Sequence, residues 1–372
     1  MKKMYTLTLT IMLCLFLVGC NNFSFISSNS ASSESQEYDE DLLTMVVPYG
    51  SGGGTDVFAR FMTGPLSKHI KNSPNIQAEN IPGGGSITGA NEYITSYERD
   101  GTNLLTTSAS THIPYLLGQS SVKYSFEELT PLVGAPTGGV VYGSKELGIE
   151  DGFDLGKVEE KLYYAGMSPT GLDLTTLLSF EVLELDAKAV LGYEGRGPAR
   201  VAFEQGESNI DFQTTSAYKQ NIEPKVEEGE AVPLYSLGQI DENGEVVRDP
   251  QFPNLPTIKE AYEEIHGKKP QGQAWETYKH FLNATYTLQK VIWVHKDAPE
   301  NTKEELKKAA NALIEDEQFQ EESSAILEDY GTYSQDEIER RINNMEKNIS
   351  EDTLEWVREF LLEEHGVDVS KL

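Results

Sequence analysis

Apolar positions change period from one stretch of this chain to the next. Met45, Val46 and Val47 form a short apolar run stopped by Pro48, which cannot donate to a ladder, so the run reads as a buried strand. Residues 51–54 (Ser-Gly-Gly-Gly) make a glycine-rich elbow, and beyond it Val57, Phe58, Phe61 and Met62 recur at helical spacing. Thr55 or Asp56 is placed to cap that helix. The βα unit covers residues 42–70, with a kink or fresh start expected at Gly64-Pro65 because proline lacks an N–H and clashes with the preceding turn. A strand at 76–79 follows, then a PGGGSITGA turn into a helix ending near Glu98, a turn at Asp100-Gly101 and a strand at 103–107. Strands alternating with helices at this spacing predict an α/β fold built on a parallel, doubly wound sheet.

The pattern continues through an apolar, glycine-rich stretch at 132–142 and a strand at 162–164. A Ser-Pro-Thr-Gly turn then leads into a helix carrying Leu174, Leu177, Leu178 and Phe180. Further strands are expected at 187–191, 210–213 and 233–237. Residues 241–250 (DENGEVVRDP) contain Asn243-Gly244 and read as an exposed hairpin or loop. Trp275, Tyr278, Phe281 and Leu282 have helical spacing ahead of a strand at 290–294. In the helical C-terminal third, Asn301 or Thr302 is positioned to cap a helix bearing Leu306, Ala309, Ala310, Leu313 and Ile314. Ser334 is positioned to cap a last long helix with Ile338, Ile342, Met345 and Ile349, followed by Trp356, Val357, Phe360 and Leu361. No internal repeat or extended heptad is visible.

The elbow at 49–55 is the first candidate for chemistry. A strand-to-helix turn points unpaired N–H groups and the positive end of a helix dipole at one place, which suits a carboxylate or a phosphate. No Lys-Ser or Lys-Thr follows the glycines, as a phosphate-cradling P-loop needs, and Thr55 stands where a dinucleotide fingerprint needs Gly or Ala. Charge narrows the partners. Sixty acidic against 30 basic residues give a net charge of −30, which opposes nucleic acid and disfavours broad attraction of anions. An anion must then be held locally, by amides and hydroxyls.

Lys2 and Lys3 precede an apolar run at about 7–18, ending Leu17-Val18-Gly19-Cys20. This describes a secretory signal over 1–19, too short for a settled membrane span. The Leu-x-Gly-Cys ending resembles a lipobox, which implies cleavage before Cys20, diacylglyceryl attachment to its sulfur and a palmitate-type membrane anchor. Residues 20–41, rich in Ser, Asn and acid, read as a flexible tether. The only cysteines are Cys14 and Cys20, so a mature chain has no disulfide; its roughly 330 residues can bury a core without one, usually as two domains.

Six ordered motifs raise the specificity of this reading: MVVPYGSGGGTDVFAR (45–60), ENIPGGGSITGAN (79–91), DGTNLLTTSASTH (100–112), YYAGMSPTGLDL (163–174), GYEGRGPARVAFEQGESNIDF (192–212) and FPNLPTIKEA (252–261). In order and spacing they resemble the extracytoplasmic solute receptors of tripartite tricarboxylate transporters, over residues 43–345. The resemblance implies a type II periplasmic-binding-protein fold, with two doubly wound lobes joined by a two-crossing hinge and a ligand in the cleft between them. It implies lobe 1 at 42–139 plus 238–372, lobe 2 at 140–237, and a hinge near 140–142 and 235–237. It further implies a small carboxylate ligand, membrane permease subunits as partners, a lipid-anchored location outside the cytoplasmic membrane, no cofactor and no metal. A monomer is expected.

Carried onto this chain, the ligand contacts are Tyr49, Ser51, Gly52, Gly53, Gly54 and Thr55; Ser108, Ala109, Ser110 and Thr111; and Ser168, Thr170 and Gly171. These turns lie at predicted C-terminal strand ends, where open α/β sheets bind ligands. Hydroxyls and amides can hold a carboxylate and bridging waters without a fixed positive charge; each hydroxyl alone is equally well read as a helix cap. Asp56 matches the family's GG-x-D position and reads as structural, with contact to a ligand amine as the alternative. Arg196 stands where the family usually has a small residue and is a candidate ligand contact; a surface pair with Glu194 is the bland alternative. Asp211 matches a family Asp at a strand end, a position suited to positioning or amine recognition. His112 is either a pocket wall or a locally bonded histidine. The segment from Trp275 to Tyr286 departs from the family's short turn and Trp-Gly strand and is read as an inserted helix packed in the core.

Two other functions are compatible with the sequence: a receptor lipoprotein signalling to a membrane sensor kinase, and an extracellular enzyme acting on a small acid through Asp56, His112 or Asp211. The mature chain shows no HExxH, no G-x-S-x-G and no cysteine nucleophile, so no enzyme is expected.

Overall fold

The computed structural model describes residues 40–241 and 243–372. The expected signal peptide at 1–19, Cys20 and nearly all of the 20–41 tether lie outside the described residues. Strands β1 (Leu42–Val47), β2 (Asn75–Asn80), β3 (Asn103–Ser108), β4 (Leu129–Ala135), β5 (Gly139–Ser144), β6 (Leu162–Gly166) and β7 (Ala187–Leu191) are followed by β8 (Ile210–Thr214), β9 (Ala231–Ser236), β10 (Gln239–Ile240), β11 (Val246–Val247), β12 (Lys290–His295) and β13 (Tyr333–Ser334). The helices are α1 (Gly54–His69), α2 (Ile87–Ser96), α3 (Ala109–Leu116), α4 (Asp173–Val182), α5 (Arg196–Glu204), α6 (Thr215–Asn221), α7 (Glu223–Glu227), α8 (Ile258–His266), α9 (Gln273–Leu282), α10 (Glu300–Glu315), α11 (Glu317–Leu327), α12 (Gln335–Asn348) and α13 (Glu351–His365).

Two sheets organise the chain. One has the order β13-β4-β12-β3-β1-β2 and the other β7-β6-β8-β5-β9. The parallel pairing expected from alternating strands and helices is present, but both sheets are mixed: β1 is parallel to β2 and β3 and β6 to β7 and β8, while β12 runs antiparallel to β3 and β4, and β5 antiparallel to β8 and β9. Parallel neighbours require a crossover connection. β5 instead enters the second sheet only three residues after β4 leaves the first. The predicted hairpin at 241–250 forms as the β10–β11 pair.

Strands covered on both faces read as continuous apolar runs, and β1 shows why. Met45 and Val47 pack with Phe58, Met62 and Leu66 of α1 and Leu306 and Leu313 of α10. Val46 faces the other way, toward Ile87, Tyr93, Leu105 and Trp293. α1 runs unbroken through Gly64-Pro65, so no fresh start occurs there. Three boundary expectations change. Gly53, not Thr55 or Asp56, is the N-cap of α1, because the Asp56 carboxylate turns back onto the elbow. Pro299 takes the N-cap position of α10 in place of Asn301 or Thr302. Ser334 does open α12, its Oγ accepting from the Glu337 N–H (3.4 Å), but that helix ends at Asn348 short of Ile349, and Trp356, Val357, Phe360 and Leu361 lie on a separate α13 capped by Ser350.

The inserted aromatic segment forms α9 and a following π-turn (Asn283–Thr287). Trp275, Tyr278, Phe281 and Leu282 are buried with Leu174, Leu177 and Leu178 of α4, with Phe212 and Tyr235 of the second sheet, and with Val357, Phe360 and Leu361 of α13. Each such side chain contributes about 1.5–3 kcal/mol on burial. Ala109, Ile113 and Leu117 of α3 join the same cluster, so apolar packing crosses from the first sheet's helices to the second's. Of the elements that the resemblance assigns to lobe 1, α9 packs on α4 and α8 on β9, so both reach second-lobe elements.

Candidate functional site

The β1–α1 elbow is solvent-exposed from Gly50 to Gly54, and Gly52 adopts φ +83°, which favours glycine. Asp56, buried in the first turn of α1, accepts from the Gly52 N–H (2.8 Å), Arg60 Nε (3.0 Å) and Asn80 Nδ2 (2.8 Å). Burial alone would raise its pKa; the bonds from Arg60, Gly52 and Asn80 outweigh burial and hold it below the ordinary value. Asp56 is therefore a brace of the elbow. The first bond of the helical ladder runs from Val57 N to Gly53 O (2.9 Å), so the N–H groups of Gly54, Thr55 and Asp56 stand ahead of that ladder at the positive end of the helix.

Tyr49 ties this elbow to the next. Its hydroxyl lies 2.6 Å from Ser108 Oγ and 2.7 Å from Thr111 Oγ1. Ser108 caps α3, accepting from Ser110 N (3.3 Å), while Thr111 Oγ1 accepts from Ser108 N (3.4 Å). These hydroxyls are both caps and members of a shared cluster. Ser86, which the sequence reading did not single out, donates to Ser110 O (3.2 Å) and sits 3.1 Å from Thr111 Oγ1. It holds φ +107°, a left-handed conformation costly for a residue with a side chain. The signal available for it was its place directly after three glycines.

The β6–α4 turn meets this cluster from the second sheet. Leu172 N donates to Ser110 Oγ (3.2 Å), and Thr170 Oγ1 donates to Gln119 Oε1 (3.2 Å). A Cβ at Gly171 would lie 3.2 Å from Ser110 Oγ, so glycine permits the approach. Ser168 Oγ lies 3.1 Å from Thr170 Oγ1. Asp173, fully buried in the first turn of α4, accepts from the N–H groups of Met167 (3.0 Å) and Ser168 (3.1 Å).

Arg196 is neither an open ligand contact nor a surface partner of Glu194. Its guanidinium binds Asp173 (2.9 Å) and Asp211, donates to the carbonyls of Ala165 (2.9 Å) and Phe212 (2.6 Å), and lies over the Tyr164 and Phe212 rings. Tyr142 and Tyr164 donate to Asp211 and Asp173 respectively. Burial would lower the pKa of Arg196, but the Asp211 and Asp173 charges outweigh it and keep the guanidinium charged; burial pushes Asp211 up. His112 is bonded to Thr107 (2.9 Å) and stands edge-on to Phe126, and burial lowers its pKa to about 3. Asp56, His112 and Asp211 thus face three separate surroundings and do not form one reactive group.

Two charged residues beyond those expected stand out, one of them beside the elbow. Lys290 opens β12, paired in register with Ser108. Its Nζ lies 3.9 Å from where a Gly54 Cβ would be and 5.7 Å from the centre of the Phe58 ring. Glu328, the left-handed C-cap of α11, is buried, and its Oε2 has no hydrogen-bond partner. An open surface hollow of about 430 Å³ over α5, lined by Tyr193, Gly197, Arg200 and Val201, shares no residue with this cluster.

No protein-family model matches the chain, and no curated protein matches it either. Solved structures do. A structure of the periplasmic binding protein BugD aligns over 89% of this chain and 99% of its own, at 18% identity and TM-score 0.62. Rpa4515 of R. palustris with adipate aligns over 84% and 97%, at 20% identity and TM-score 0.61. MatC from Rhodopseudomonas palustris with bound malate aligns over 83% and 99%, at 20% identity and TM-score 0.58. The chain has the two-lobed α/β fold of these binding proteins, the fold that the six sequence motifs imply.

Proposed function

We propose that this chain is the extracytoplasmic receptor of a tripartite tricarboxylate-type transporter. It captures a small carboxylate between two lobes, 42–139 plus 238–372 and 140–237, and delivers it to membrane permease subunits. Its leader is removed, Cys20 carries the lipid anchor, and the protein works as a monomer at the outer face of the cytoplasmic membrane. It catalyses no reaction. The hinge lies near 140–142 and 235–237, where β5 pairs with β9, and ligand shifts an open–closed equilibrium.

One observation carries the reading: hydroxyls and amides from both sheets converge where the elbow, the Ser108 loop and the Ser168 turn meet, joined by Tyr49, Ser110 and Leu172. Such groups suit a carboxylate with bridging waters. The structures of the same fold with malate and with adipate support the ligand class. Tyr49, Ser51–Thr55 by their elbow amides, Ser108–Thr111 and Ser168–Gly171 are the contacts; Arg196 and Asp211 act as the frame beneath them. A thermal-shift screen of small carboxylates tests the proposal, since a ligand bound only by the native state raises Tm. Shifts with sugars, nucleotides or cations alone would overturn it.

A further inference from the structure

We propose that Tyr330 is the pin of the hinge: its hydroxyl holds Thr215 of the second lobe while the lobes are shut and releases it when they part. This one bond then helps to set how firmly the receptor keeps its ligand. The inference rests on the two-lobed receptor reading above and adds a conformational device to it.

The two crossings between the sheets, 136–138 and 237–238, run side by side. Leu237 N donates to Gly139 O (2.9 Å) and Gln239 Nε2 to Thr137 O (3.1 Å). Asp249, just past β11 and fully buried, packs against both. It accepts from Gln239 Nε2 (3.4 Å), from Gln251 N (2.9 Å) and from Tyr330 Oη, which lies 2.7 Å and 2.8 Å from its two oxygens. Tyr330, just beyond α11, also stands 2.9 Å from Oγ1 of Thr215, the buried first residue of α6. A phenol has one proton, and here it goes to the carboxylate, so Thr215 Oγ1 donates to the phenol oxygen. Burial and the Asp249 charge raise the pKa of Tyr330, so that proton stays in place. A Cβ at Gly138 would run into Asp249 Oδ2, Tyr330 Oη and Thr215 Oγ1. The three groups thus close around a bare stretch of the outgoing crossing, where a hinge must bend.

The members divide unequally between the lobes. Gln239, Asp249, Gln251 and Tyr330 lie in the first lobe's share of the chain, and Thr215 in the second's. When Thr215 leaves, Asp249 keeps its donors from Gln239, Gln251 and Tyr330, so no buried charge is stranded and one hydrogen bond is lost. In this structure the bond is present together with the rim contacts of Leu172 N to Ser110 Oγ (3.2 Å) and Thr170 Oγ1 to Gln119 Oε1 (3.2 Å), the arrangement of a shut cleft. The pin therefore gives the closed state a bond that the ligand does not supply, which biases the open–closed equilibrium before any ligand arrives.

Malate and adipate serve as probes in calorimetry and stopped-flow measurements on the mature protein. Tyr330→Phe and Thr215→Val should each weaken binding about three- to tenfold through faster dissociation, with the association rate changed by less than about twofold. The double variant should bind no more weakly than either single one, because both remove the same bond. Lobe separation is read without ligand by double electron–electron resonance between spin labels at Lys68→Cys and Lys188→Cys, exposed positions on the two lobes. Tyr330→Phe should shift that distance distribution to longer values. Unchanged distances in Tyr330→Phe overturn the pin whatever the affinities do, and so do additive losses in the double variant. If the wild type binds neither acid, the receptor reading is overturned for these ligands, and the distance measurement alone decides the pin. If Tyr330→Phe does not fold, Thr215→Val removes the same bond from the other lobe and is held to the same outcomes.

Discussion

The two strand-to-helix elbows solve one problem in different surroundings. In each, an aspartate in the first helical turn folds back onto the elbow's own N–H groups and pairs with an arginine: Asp56 with Arg60, and Asp173 with Arg196. Arg60 is 48% exposed, whereas Arg196 is 12% exposed and Asp173 wholly buried. Water shares the first pair, so its geometry matters more than its energy. The second is shielded and shared with Asp211, so removing one member leaves uncompensated charge in a low-dielectric interior. The first elbow buries its aspartate but leaves its arginine in water; the second shields both partners.

The comparison is tested most severely by Arg196→Met, expected to cost about 3–5 kcal/mol in urea unfolding because it strands Asp173 and Asp211. A loss below 1 kcal/mol would place both pairs in one class. His112 comes next as a titration probe outside both elbows. Its folded pKa of about 3 lies below its ordinary 6.5, so protonation favours the unfolded chain between those values. Stability should therefore fall as pH drops from 6.5 toward 3, with a slope of up to about 1.4 kcal/mol per pH unit that His112→Gln removes. A slope unchanged in the variant would assign the acid limb to other groups. Ser110→Ala removes the acceptor of Leu172 N, the bond that joins the elbows' neighbourhoods, and should weaken carboxylate binding by about 1–3 kcal/mol in calorimetric titration. Equal affinity would show that the bond carries no share of ligand capture. The smallest effect is expected of Arg60→Met, within about 1 kcal/mol by thermal unfolding. Asp56→Asn sharpens it: the depressed pKa of Asp56 contributes stability that is present above its unfolded value and lost as pH falls through the folded one. That part of the acid limb should flatten in the variant.

Local pattern made the elbows, the α9 stripe and the 241–250 hairpin legible, because each depends on nearest neighbours in sequence. Strand direction in β5 and β12 was not, since it follows from where the chain re-enters a sheet. The α1 cap was misplaced for a related reason: Asp56 has a better partner in Gly52 than the capping geometry offers. Arg196 was located near the right strands, yet its burial depends on Asp173 and Asp211, residues 23 and 15 positions away. Lys290 left one trace in sequence that went unread. It is the only charged residue between His280 and His295, an anomaly in a run that otherwise reads as core.

Tyr278 Oη donates to the Leu237 carbonyl (2.6 Å) at the return crossing between the sheets, and Trp275 stacks on Tyr278 with ring centres 5.7 Å apart. Of the three tryptophans, Trp293 lies within the first sheet and Trp356 on α13, so Trp275 alone adjoins that crossing. The molecule thus carries a built-in optical gauge: its own emission, isolated by replacing the other two indoles, reports on the joint without any attached dye.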